Sequence, residues 1–213
     1  MVNYLSEFIA LAVIHFLAVV TPGPDFAVTV SQSVQYGKKV GILTALGIGM
    51  GISVHVLYTL AGVGALMHTN DLIFNGAKIA GVIYILYLAI KLFKTSSSAP
   101  DKNFDMLATQ RSQNAGKAFS TGFFTNATNP KATLFFLAIF TTIVSNKTPV
   151  YIQALYGVWM CMVNAAWFMI VAMFFSHKKV RVNFLRFGHW FERTMGMLLC
   201  LFALKMLFGA SSS

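Results

Sequence analysis

The amino-acid sequence predicts an all-α integral membrane protein of about six transmembrane helices, laid out as a 3+3 inverted repeat. Three observations carry that reading. Of 213 residues, 57% are hydrophobic and only 10% are charged, with a mean hydropathy of +0.69. Six apolar segments follow one another along the chain, and the first and fourth are interrupted by proline motifs at corresponding places. A soluble domain carries about 25% charged residues, so this chain has too little polar surface to face water on all sides. A lipid bilayer is its natural solvent.

A spanning helix needs about 20 apolar residues to cross a hydrocarbon core of roughly 30 Å. The segments are, in order, Tyr4–Tyr36, Gly41–Met67, Leu72–Phe93, Ala118–Val144, Pro149–Phe175 and Phe191–Phe208. The stretches Val40–Asn70 and Thr148–His177 hold no formal charge. Segments three and six are shorter and carry Lys91 and Lys205, which can snorkel near a helix end. Phe8–Val20 could pass for a signal-peptide core. It lacks a basic leader, carries Glu7 and runs into Thr-Pro-Gly-Pro, so it is expected to stay in the mature protein.

The net charge of +10 raises nucleic acid as a partner, but the charges cluster between apolar segments, which excludes that class. Lys38 and Lys39 follow the first segment. Lys94, Lys102, Arg111 and Lys117 lie between the third and fourth, and Lys178, Lys179, Arg181 and Arg186 between the fifth and sixth. The opposite turns hold only Lys147. The positive-inside rule then makes the basic loops cytoplasmic and puts both termini on the periplasmic side. The Ser-rich, charged stretch Thr95–Gly116 reads as a linker. The expected division is a first three-helix repeat over 1–94, a cytoplasmic linker over 95–117 and a second repeat over 118–213. Three helices per half insert the second half upside down, the arrangement of many secondary transporters.

The breaks carry most of the information. Helix one contains Thr21, Pro22, Gly23, Pro24 and Asp25; helix four contains Thr128, Asn129, Pro130 and Lys131. Proline removes a backbone donor and clashes one turn back. Broken backbone survives at membrane depth only where it lines a polar cavity or packs on protein. Gly23 lies roughly 18 residues from the outer end of helix one and roughly 12 from its inner end; Asn129 lies roughly 11 from the inner end of helix four and roughly 17 from its outer end. At about 1.5 Å per residue both breaks fall near one plane. Matching breaks of this kind mark transporter binding sites.

A charge follows each break: Asp25 after Pro24, Lys131 after Pro130. Two readings fit. The pair could be a structural ion pair, or it could also meet a zwitterion. In the second reading Lys131 and half-helix amides face a carboxylate, while Asp25 faces an ammonium or carries a coupling proton. Thr21, Gly23 and Asn129 complete that candidate substrate site. His15, His55, Asn126 and Asn164 are candidate cavity groups whose alternative is hydrogen bonding between helices. Gly47, Gly49 and Gly51, after Gly37 and Gly41, suit a close helix-packing seam and offer a surface for a homodimer. Trp159, Trp167 and Trp190 suit packing or interface anchoring.

These residues resemble the lysine exporter/threonine–homoserine efflux (LysE/RhtB) family. The resemblance rests on the run from His15 to Phe26, on the glycine-rich second helix and on Asn126 to Ala132 (Asn-Ala-Thr-Asn-Pro-Lys-Ala), and it covers essentially the whole chain. The Pro-Gly-Pro-Asp-Phe form looks most like the threonine-efflux branch. The resemblance implies a bacterial inner-membrane secondary exporter of amino acids, driven by the proton gradient, with threonine, homoserine or another neutral amino acid as substrate. It leaves a different zwitterion or a basic amino acid as the alternative, and it marks Thr21 to Asp25 and Asn129 to Lys131 as the motif positions.

Other classes fit less well. A membrane thiol carrier needs a redox cysteine in each half, whereas Cys161 and Cys200 both lie in the second. A metal exporter needs clustered ligands, and the five histidines are scattered. No Ser/His pair or HExxH motif points to an intramembrane enzyme. Neither a metal nor a cofactor is expected.

Overall fold

A computed structural model describes residues 4–69, 71–94, 112–145, 147–177, 179–180, 190, 193–201 and 203–204. Among these residues every regular element is helical. They are α1 (Tyr4–Val20), α2 (Pro24–Tyr36), α3 (Lys38–Thr69), α4 (Asp71–Phe93), α5 (Ala115–Ala127), α6 (Pro130–Thr142) and α7 (Val150–Phe175). Residues 193–201 and 203–204 are helical within the expected sixth segment. Most of the expected linker, along with Lys102, Arg111, Lys178, Arg181, Arg186, Phe191 and Lys205, lies outside the described residues.

The helix boundaries follow from backbone chemistry. Pro22 cannot donate to the carbonyl of Ala18, nor Pro24 to that of Val20, and α1 ends at Val20. The chain restarts with Pro24 in the first turn of α2, where a missing N–H costs nothing. α1 and α2 are bent 51° apart. Pro130 likewise opens α6, and the Asn129 side chain caps it by accepting from Lys131 N at 3.0 Å. Asn114 caps α5 through Gly116 N at 2.8 Å.

Between α2 and α3 stands a single residue, Gly37, with φ of 88°. A side chain is strained in that left-handed region, so glycine makes the turn. Its N–H donates to Ser33 O at 3.1 Å and its carbonyl accepts from Gly41 N at 3.2 Å. Lys38 and Lys39 therefore form the first turn of α3 and not a loop.

Close packing holds the bundle together. α3 runs against α5 and α7, α4 against α6, and α2 against α3 and α7. A Cβ added at Gly47 would stand 2.0 Å from Phe119 O, and one at Gly122 would stand 2.0 Å from Thr44 O. One at Gly49 would lie 2.6 Å from the Ala165 side chain. The glycine seam is thus filled by α5 and α7 of the same chain, and a second copy could not meet the molecule there. At the far end, the buried Glu7 carboxylate accepts from Ser145 N at 3.1 Å and Thr148 Oγ1 at 2.9 Å. This clasp ties the start of α1 to the turn between α6 and α7.

The outer surface is apolar. Leu5, Ile9, Val13 and Phe16 form an exposed stripe on α1, with Leu57 of α3 at 66% and Tyr151 of α7 at 66% exposure. Such a surface is stable in lipid, not in water. Two described helices meet the length and apolarity of a span, α3 over Lys38–Gly62 and α7, and the bent α1–α2 pair makes a third. α4 and α6 add shorter apolar stretches, Ile79–Lys91 and Pro130–Thr142.

Gly47→Ala should lower the thermal unfolding temperature in detergent, corresponding to about 1–3 kcal/mol of overpacking. Gly62→Ala, where nothing lies within 4 Å, should leave it unchanged or raise it.

Candidate functional site

The two breaks meet. Asp25 lies in the first turn of α2, where a carboxylate complements the helix dipole. Its Oδ2 accepts from Asn126 Nδ2 of α5 at 3.0 Å and from Asn129 Nδ2 at 3.1 Å. Its Oδ1 is buried and has no hydrogen-bond partner among the described residues. The Lys131 charge acts on Asp25 through space, but the ammonium also serves the backbone. Lys131 Nζ donates to Thr21 O at 2.9 Å and Ala18 O at 3.3 Å. Pro22 deprived that Ala18 carbonyl of its helical donor, so Lys131 takes the donor's place. Its side chain lies along Gly23, where an added Cβ would come 3.3 Å from Nζ.

The second break is repaired in the same manner. Pro130 leaves the carbonyl of Asn126 without its helical donor. His55 Nε2 stands 2.8 Å from that oxygen and Asn129 N donates to it at 2.8 Å. A carbonyl can only accept, so Nε2 carries the His55 proton and Nδ1 accepts from Tyr58 Oη at 2.7 Å. His55 is fully engaged, stacked on Phe136 at 5.6 Å between ring centres. It positions Asn126, which positions Asp25. Thr21 turns its hydroxyl back to Leu17 O at 2.8 Å, leaving its carbonyl for Lys131.

A cavity of about 40 Å³ lies beside these groups, room for roughly two to four waters. Asp25, Asn126, Asn129 and Lys131 line it, together with His15, Asn164 and the rings of Phe135, Phe136 and Phe168. A larger cavity of about 350 Å³, walled by Tyr84, Tyr87 and Lys91 of α4, shares Thr21, Gly23, Asn129 and Lys131 with the first. The two breaks are the partition between the cavities, and Pro22, Pro24 and Pro130 face the larger one.

All the candidate residues except His55 thus line one or both cavities, and His55 stands directly behind Asn126. Two contributors had gone unnoticed. Tyr58 follows His55 by three residues, a spacing that puts both on one helix face and could have exposed it. Tyr84 donates to Lys131 O at 3.2 Å, a contact between distant helices that no local pattern signals. Among the described residues no cluster of His, Cys, Asp or Glu could hold a metal ion.

Residues 16–210 match the family described as LysE type translocator. The chain belongs to this family. As a LysE type translocator it is a membrane protein, in agreement with the resemblance read from its proline motifs and with its apolar exterior. The threonine efflux protein of Salmonella typhi is 25% identical over 205 residues, covering 95% of this chain and 98% of its own. The threonine efflux protein of Escherichia coli (strain K12) is 25% identical over 210 residues, with the same coverage. The leucine efflux protein of Salmonella choleraesuis (strain SC-B67) is 30% identical over 131 residues, 62% of this chain and 60% of its own. No solved structure matches the chain.

His55→Phe should lower the unfolding temperature by an amount corresponding to about 1–3 kcal/mol, since it strips one of two donors from Asn126 O and the acceptor from Tyr58. Tyr58→Phe should cost less, because the His55 bond to Asn126 survives.

Proposed function

We propose that this translocator is a secondary transporter of the bacterial inner membrane that exports a small neutral amino acid in exchange for protons. Threonine, homoserine or a close analogue is the expected cargo. One observation carries the reading: Asp25 is anchored through one oxygen by two amides of the other break, and its second oxygen is unpartnered beside a cavity. A buried acceptor with no donor is costly, and an ammonium group relieves that cost. Relatives named for threonine efflux match along nearly their full length, which supports an amino-acid cargo. A relative named for leucine efflux matches over a shorter stretch, so the family likeness alone does not choose between them.

Asp25 holds the substrate ammonium or, when the site is empty, the coupling proton. Lys131 and the amides opening α2 and α6 receive the substrate carboxylate. To do so Lys131 releases the carbonyls of Ala18 and Thr21, leaving the end of α1 uncapped. Substrate binding therefore acts directly on the break, and the partition between the two cavities is what moves. The halves, 1–94 and 118–213 about the linker 95–117, form an inverted repeat and rock against each other. The basic loops face the cytoplasm and both termini the periplasm. A neutral zwitterion leaving against an entering proton moves one charge inward, so the membrane potential contributes about 2.3 kcal/mol per 100 mV.

The test is export from cells lacking their own amino-acid exporters, loaded with threonine-, leucine- and lysine-containing dipeptides. The protein should speed the appearance of threonine outside. Asp25→Asn and Lys131→Ala, expressed equally, should each cut that rate by about tenfold or more, a loss of about 1.4 kcal/mol per decade. Full export by Asp25→Asn with unchanged pH dependence would overturn the assignment of Asp25.

A further inference from the structure

His15 is buried to 1% exposure in α1 and lies against Trp159, with ring centres 5.6 Å apart, and Phe135, at 6.1 Å. Its proton can be located from its neighbour. Asn164 Nδ2 stands 3.2 Å from Met160 O and 2.9 Å from His15 Nε2. A carbonyl oxygen accepts, so the atom facing Met160 must be the amide nitrogen, and flipping the amide would set two oxygens against each other. The second hydrogen of that nitrogen points to Nε2, which therefore accepts. The ring proton is left on Nδ1. That atom is buried and has no partner among the described residues, while His15 and Asn164 both line the smaller cavity.

His15 and His55 are thus opposites. His55 spends both nitrogens on protein groups, whereas His15 is oriented at one nitrogen and leaves a donor unspent at the other. An orphaned buried donor costs about 1–3 kcal/mol, which a ligand acceptor would recover. His15 lies five residues before the end of α1 at Val20, roughly 7 Å along the axis from the break. His15 and Asp25 line the same small cavity, which has room only for a short side chain.

We propose that His15, oriented by Asn164, reads the substrate side chain: Nδ1–H donates to an acceptor atom near the tip of a short side chain, and the surrounding phenyl rings exclude water. This rests on the exporter reading above and assigns to His15 a choice that Asp25 and Lys131, which meet groups common to all amino acids, cannot make. The substrate class is amino acids with a short acceptor-bearing side chain, hydroxyl foremost, over apolar isosteres of equal size.

L-Threonine and L-valine differ by hydroxyl against methyl, and their export rates from the exporter-deficient cells give the discrimination directly. Wild type should prefer threonine by at least about tenfold, as expected where a buried donor is left unpaired by the wrong ligand. His15→Phe should bring the ratio within about threefold, chiefly by lowering threonine export, and His15→Gln, which keeps an N–H donor, should restore part of it. If His15→Phe does not elute as folded protein, Asn164→Leu, which frees the imidazole to shift its proton, should lower the ratio severalfold by itself. A threonine-to-valine ratio unchanged in His15→Phe or in folded Asn164→Leu overturns the proposal, as does a wild type exporting both equally. In those cases amino-acid export itself stands. Failure of wild type to export any amino acid removes the exporter reading and this one with it.

Discussion

Three prolines in the middle of two helices set the terms for everything else in this protein. Each lacks the hydrogen that a helix would have used, and two of the carbonyls so exposed are claimed by distant side chains. Ala18 O receives Lys131, and Asn126 O receives His55. In hydrocarbon an unmet carbonyl costs several kcal/mol; Lys131 supplies the donor that Ala18 O lost, and His55 adds a second donor to Asn126 O beside Asn129 N. Because Lys131 belongs to the second break and its target to the first, the first break leans on the second. Asp25 reinforces the dependence in the reverse direction, taking its amides from Asn126 and Asn129.

This cross-bracing demands that α3 and α5 approach within backbone contact. Gly47 and Gly122 permit it, and a Cβ at Gly51 would come within 2.8 Å of Asn126 Cβ. Seam and site adjoin there, since Asn126 is also the residue whose amide donates to Asp25. The energetic content is dispersion between closely packed backbones, the main attraction left to helices that already sit in an apolar solvent.

Much of this was legible in the sequence. Scarcity of charge identifies the solvent, and proline within an apolar run identifies the interruption, because both effects are local. The motif residues Asp25, Asn129 and Lys131 were readable for the same reason. The partner of Lys131 was not. Opposite charges suggest each other, but the ammonium is also drawn to backbone oxygens, which have no signature in a sequence. Nor could the two histidines be told apart: both lie in apolar helices, and only three-dimensional neighbours make one a brace and the other an unspent donor. Glu7, near the start of α1, is buried by a turn more than 130 residues away, a contact no local pattern signals.

Gly37 leaves no slack between α2 and α3. A one-residue corner ties α2 closely to α3. α1 is moored elsewhere, by Glu7 to the turn before α7. The first helix is therefore divided at residues 21–23 into two lengths with different anchorages. Lys131 is the pin at that division, through the carbonyls of Ala18 and Thr21.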